Sequence, residues 1–334
     1  MTARSKWSWP RLSVDAVVWG GLLALPALLG GWQVGEFAQF FTYGIFAMSL
    51  ALIWGHCGLL CFGQAVFFGI GAYAMSLVTL GMVPGLESFT SSYLGLVCAI
   101  AAPGIFANIL GRFLFYGRGL RGAYFGIVML AVAAIAERMA TNWDYIGGLN
   151  GLINVPPFNL GILGGGMELW ESIPVYYFTL AIAFACYLVL ELLLRTPYGT
   201  VLKAIGINEE RTAALGYDTA GYKLTAFTIS GGLAGLAGAL FVTQFAFASP
   251  PLIGFALSTE VLIWVALGGR GLLIAAFLGA LLVRYAEGQF ADLFGPYWLL
   301  ALGGLFLICV ILVPRGLAGE PIHRYLAWAR RSKT

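Results

Sequence analysis

Apolar residues fall along this chain in ten runs separated by short polar stretches. The runs cover approximately 14–32, 37–55, 59–81, 93–115, 122–141, 173–194, 223–248, 256–269, 272–290 and 297–314. A helix needs about 20 apolar residues to cross roughly 30 Å of hydrocarbon. The eighth run is short and glycine-flanked, so it reads as a broken or partial span. Backbone groups inside a bilayer must satisfy one another, which leaves helices as the economical solution for runs of this length. The pattern predicts an all-α integral membrane protein of about ten transmembrane helices. Residues 1–13 precede the membrane domain, 14–314 form it, and 315–334 make a basic tail.

Two interruptions are longer than the rest. The segment 142–172 is rich in Gly, Pro, Asn and Trp and is too polar to span. The segment 195–222 mixes charges with good helix formers from Glu209 to Leu215, and Gly216 follows as a helix stop. It predicts one or two short helices lying on a membrane face.

Charge orients the pattern. With the N-terminus inside and the spans alternating, all Lys and Arg except Arg138 and Arg284 fall on the inner side. The segment 142–172 then lies outside and carries acids but neither Lys nor Arg. Basic residues sort to the cytoplasmic side, so both termini are expected there. Arg4, Lys6 and Arg11 before the run from Val14 to Trp32 resemble the start of a signal peptide. No small-x-small cleavage site follows and further spans do, so this run reads as a retained first helix.

Composition agrees. The 334 residues are 60% hydrophobic and 10% charged, against roughly 25% charged in a soluble domain. Such a chain cannot cover itself with a water-facing surface. Its 46 glycines suit helices whose backbones approach closely.

The chemistry of an enzyme is missing. Nothing matches the phosphate-cradling G-x-x-x-x-G-K-[ST], so ATP hydrolysis is not expected in this chain. There is no HExxH, and only two His are present. Cys57 and Cys61 share a helical face near His56, but no second ligand pair accompanies them, and apolar packing is the simpler account. No cofactor, metal or nucleic-acid site is expected.

Five segments carry a resemblance. CGLLCFGQAVFFGIGAYAMSL (Cys57–Leu77) is similar to the signature of branched-chain amino-acid and urea-type ATP-binding-cassette permeases. RGAYFGIVMLAVA (Arg121–Ala133), the run from Gly199 to Leu240, STEVLIWVALGGRG (Ser258–Gly271) and VPRG (Val313–Gly316) follow in that family's order. The resemblance implies a type II importer fold and a heterodimer with a homologous permease. It also implies two cytosolic ATPases and a periplasmic binding protein that delivers substrate. The chain departs from the family at Gln64, where His is usual, and at Ala134, where amino-acid members tend to carry Glu. Arg270 and Pro296-Tyr297-Trp298 look more like the urea-type second subunit. The expected substrate is therefore urea or a short amide, with branched-chain amino acids as the alternative. An ion-coupled secondary transporter is the alternative of another class.

The candidate residues follow. Gln64 offers a donor and an acceptor, as an amide or urea requires, but an interhelical hydrogen bond is an equal account. Phe67 and Phe68 flank it in the proposed pathway. Glu260 lies in an apolar run, where an ionised acid costs about 2.5–3.5 kcal/mol at mid-membrane, so it should face a pathway, pair with Arg284 or sit at an exposed interface position. Arg284 and Glu287 are spaced to pair locally. Gly231, Gly232, Gly235 and Gly238 are expected at close helix contacts. The resemblance assigns Asn208, Glu209, Glu210, Arg211, Ala214 and Gly216 to ATPase coupling. The basic tail suits anionic lipid headgroups or topology alone.

Overall fold

The computed structural model describes residues 9–85, 90–116, 122–161, 168–297, 303–304 and 316–331. The first helix, α1 (Trp9–Ala24), ends in a 3-10 turn at Leu25–Ala27 that contains Pro26. Then come α2 (Gly31–Ala51), α3 (Gln64–Thr79), α4 (Ser92–Tyr116), α5 (Ala123–Thr141) and α6 (Ser172–Arg195). Two short helices, α7 (Pro197–Ile207) and α8 (Glu209–Ala214), lead into α9 (Thr219–Phe245), α10 (Phe255–Gly268) and α11 (Leu273–Phe294). A last helix, α12, covers Gly319–Arg331.

Among the described residues six helices are long and apolar enough to cross a membrane, and three shorter apolar helices accompany them. All-α membrane architecture is what the hydrophobic runs require. The tenth predicted span, 297–314, lies almost wholly outside the described residues. The third run forms helix only from Gln64, because residues 57–63 turn sharply through Gly58 at φ +75°.

The core is built on α2, α3 and α9. α4 packs on α3 and α9, α6 and α11 on α2, and α10 on α11, α2 and α3. α9 is buried along most of its length, whereas α4 and α5 leave broad apolar faces outward, including Ile105, Ile109 and Phe113, and Tyr124, Ile127, Ile135 and Met139. Glycines set the closest approaches. A Cβ at Gly71 would run into the Gly235 backbone, and one at Gly238 would run into Phe68 O. Gly231 meets Ala107 of α4 in the same way. Close backbone contact of this kind replaces the hydrophobic drive that lipid removes.

α2 does not stop at Ala51. It continues as a wider π-helical turn from Leu52 to His56, where His56 Nδ1 lies 3.2 Å from Ala51 O. The widening brings Gly55 against the Arg270 carbonyl, and the Arg270 guanidinium lies 5.5 Å from the Trp54 ring.

The two long interruptions sit at opposite ends of the bundle. At one end, Leu152–Ile153 pairs antiparallel with Phe247–Ala248, just past the C-terminus of α9. Ala246, at φ 58°, turns the chain there, and its carbonyl accepts from Val155 N at 3.0 Å. At the other end, α7 and α8 project from the C-terminal end of α6.

Candidate functional site

The projection is built from local signals. Pro197 opens α7, where its missing N–H is not needed. Asn208 is extended (φ −156°), so α7 stops and α8 starts on a single residue. Its side-chain Oδ1 accepts from Arg211 N at 2.8 Å, and its carbonyl accepts from Thr212 Oγ1 at 2.9 Å. Gly216, at φ +89°, ends the unit. Asp218 then caps α9, its Oδ1 accepting from Gly221 N at 3.1 Å.

Three contacts tie the projection to the bundle. Gly206 of α7 lies directly on the backbone of His56–Gly58, with no room for a side chain between them. Tyr198 stacks on Tyr222 at 5.2 Å and donates to the Tyr222 carbonyl at 3.0 Å. Burial, then the neighbouring Cys57 and Tyr222, raise the Tyr198 hydroxyl pKa above its usual range. Burial also pushes the Cys57 thiol up to about 12. The third contact is ionic. Lys223 Nζ lies 2.6 Å from Glu209 Oε1, and Lys223 is 1% exposed. Thr219 Oγ1 donates to the same carboxylate oxygen at 3.3 Å, and the ammonium sits 5.1 Å from the Phe115 ring.

Of the residues expected to couple to an ATPase, Asn208, Glu210, Arg211, Ala214 and Gly216 are exposed. Glu209 is turned inward to Lys223. Beside them stand Ile207 at 87% exposure, Leu215 at 74% and Tyr217, which the sequence reasoning did not single out. Apolar residues bracketing a six-residue helix in a polar segment are the signal that could have found them.

The interior holds a second polar group. Gln64, fully buried at the start of α3, donates through Nε2 to Ser49 Oγ of α2 at 3.0 Å and to Ser230 Oγ of α9 at 2.8 Å. Ser230 Oγ donates to Ser49 O at 2.7 Å. Gln64 Oε1 is enclosed and has no hydrogen-bond partner among the described residues. Ser258 of α10 accepts from Ala65 N at 3.0 Å, which joins a fourth helix to this point. Phe67 and Phe68 are fully buried. Phe67 lies edge-on to Phe227 at 5.2 Å, and Phe68 is 4.8 Å from Phe46. All three of these expected pathway residues face other helices of the same chain.

Glu260 is placed differently. Its side chain is 43% exposed, and Arg284 Nη1 lies 4.0 Å away. Arg284 is held more tightly by Glu287, at 2.6 Å, and its guanidinium lies over the Tyr43 ring at 4.4 Å. Arg284 therefore serves both acids, one enclosed and one half-open. Glu137 of α5 points its carboxylate at Gly254, while Arg138 is exposed. Among the described residues no group of three or more His, Cys, Asp or Glu comes together as a metal site would need.

The described residues form a polytopic bundle of apolar helices with a short helical projection at one end, an architecture that fits a membrane permease. The chain matches the family described as branched-chain amino acid transport system / permease component over residues 35–311, and it belongs to that family. It is 32% identical to the high-affinity branched-chain amino acid transport system permease protein LivM of Salmonella typhimurium strain LT2, over 95% of this chain and 75% of that one. The corresponding protein of Pseudomonas aeruginosa, BraD, is 26% identical over 89% of this chain and 96% of its own length. A probable LivM of Methanocaldococcus jannaschii is 27% identical over 84% of this chain and 91% of its own. No solved structure matches the chain. The protein is thus a multi-pass inner-membrane permease subunit of an ATP-binding-cassette importer of the branched-chain amino acid type, and not an enzyme.

Proposed function

We propose that this chain is one of two pore-forming subunits of an importer for branched-chain amino acids. The names carried by its relatives in two bacteria and an archaeon support this substrate class. The expectation of urea or a short amide has no such support and is set aside. It leaned partly on Gln64, whose amide nitrogen is already engaged by Ser49 and Ser230.

In this proposal a homologous permease completes the pore, two cytosolic ATPases drive it, and a periplasmic binding protein delivers the solute. The termini, α7 and α8 face the cytoplasm and residues 142–172 face the periplasm, in keeping with the distribution of Lys and Arg. The observation that carries the coupling role is α8 itself. It is a helix of six residues, capped at both ends, bracketed by the exposed Ile207 and Leu215 and fixed at its base. Glu260 is the pathway residue in this proposal, since its half-open carboxylate suits the ammonium group of an amino acid. Gln64, Phe67 and Phe68 hold the helices that shape the pathway.

Uptake into proteoliposomes tests this. The vesicles hold both permeases and the ATPases, with binding protein outside and ATP inside. ATP-dependent uptake of leucine, isoleucine and valine but not urea is the expected result. Uptake of urea or acetamide without leucine would overturn the substrate class.

A further inference from the structure

We infer that Lys223 is a positioning residue that makes α8 and α9 one moving unit and carries displacement of α8 to the centre of the bundle. The inference rests on the docking of an ATPase at α8 proposed above.

A helix of six residues cannot hold its own shape in water, because nucleation is costly and few bonds repay it. α8 exposes most of its residues, so its orientation depends on what anchors it. Only Thr212 is buried and Glu209 half-buried within it. Glu209 reaches Lys223, fourteen residues on, at 2.6 Å. The Lys223 side chain is buried, with Glu209 of α8 and the Phe115 ring of α4 against its ammonium. A surface pair such as Arg324–Glu320, with its Arg 79% exposed, can part and find water at little cost. Lys223 cannot, because separation would leave a charge without water or a partner. The pair therefore behaves as a fixed strut over the range of motion that transport requires.

The strut leads somewhere. Seven residues beyond Lys223, two helical turns along the same face of α9, stands Ser230. Ser230 is bound to Gln64 of α3 and to the Ser49 carbonyl of α2. Between them Phe227 packs edge-on against Phe67 of α3 and Phe115 of α4. One face of α9 thus carries α8 at its start and clasps α2 and α3 two turns later. Glu209 belongs to this internal link, while Glu210 and Arg211 remain outward.

The test uses the whole importer, with both permeases, ATPases and binding protein, in proteoliposomes. The quantity read is leucine taken up per ATP hydrolysed. Lys223→Met is expected to keep the ATPases bound on co-purification and to lower this ratio at least ten-fold. Lys223→Arg, which keeps the charge, is expected to restore most of it. A Lys223→Met importer that assembles with the wild-type ratio overturns the inference. Should Lys223→Met fail to assemble, Glu209→Gln decides. A reduced ratio supports the strut, whereas a wild-type ratio, or failure to assemble with Lys223→Arg also inactive, assigns the pair to folding alone and overturns it. A wild-type chain that binds no ATPase would instead remove the docking proposal, and the inference with it.

Discussion

Pro103 of α4 and Gly235 of α9 lie in direct contact, ring against backbone. A proline inside a helix has no N–H to offer the carbonyl four residues earlier, here Ala99. That freed carbonyl is one of the atoms a Cβ at Gly235 would meet, together with the Pro103 ring. The missing donor in one helix and the missing side chain in the other occupy the same place. Gly235→Ala should drive α4 from α9. An overpacking loss of about 1–3 kcal/mol is expected, read as a lower unfolding temperature in detergent. Gly104→Ala is the control: its Cβ would find nothing nearer than 3.9 Å, and the variant should melt like the wild type.

The projection should fail in two separable ways. Asn208→Ala removes the cap that α7 and α8 share, at about 1 kcal/mol. Amide exchange in α8 should then quicken about five-fold. Ile207→Asp and Leu215→Asp change only exposed apolar positions, so the fold should hold while co-purification of ATPases falls. Undiminished co-purification in both would remove these residues from the docking surface.

At the centre, Gln64→Leu deletes the bonds to Ser49 and Ser230 but keeps the volume nearly constant. Interhelical bonds in membranes are worth about 0.6 kcal/mol on average and 1.7 at most. Gln64→Leu should therefore lower stability by about 0.5–2 kcal/mol in denaturant titration. A loss below that would show that the enclosed Oε1, which has no partner among the described residues, offsets the gain from Nε2.

Cys57 gives a prediction about pH. Its thiol pKa is raised to about 12, chiefly by burial. A raised thiol pKa means that the neutral, unreactive form prevails at every pH below that value, so the thiolate is scarce at pH 8. N-ethylmaleimide at pH 8 should leave Cys57 unmodified in the native protein. After unfolding in detergent, with the pKa back near about 8.5, it should react. Mass spectrometry of the Cys57 peptide reads the difference, and rapid native labelling would falsify the enclosed geometry.

Arg284 and its two acids predict unequal costs. Glu260→Gln leaves Arg284 with Glu287 and should cost under about 1 kcal/mol, since Glu260 is the half-open partner at 4.0 Å and Glu287 the closer one. Arg284→Met strands Glu287, which is 7% exposed, and should cost about 3 kcal/mol in thermal unfolding. If Glu260 meets the substrate ammonium, Glu260→Gln raises the KM for leucine more than it lowers the maximal rate.

Much of this protein is written in local pattern. Apolar runs near the length of a bilayer made helices, because a backbone in hydrocarbon has no other partner than itself. Gly216 marked the end of α8, because a helix stop acts through neighbouring residues alone. The five ordered segments pointed to the family. Distant partners were not legible. Nothing in the sequence says that Glu209 turns inward to Lys223, or that Gln64 spends its amide on Ser49 and Ser230. Those choices depend on which helix faces lie together, and a residue's neighbours four along the chain do not fix them. The sequence alone determined where helices form and which end of the chain's segments carries charge. The tertiary structure decided which polar groups serve the fold and which stay open to a substrate or a motor, because that depends on distances across helices rather than along them.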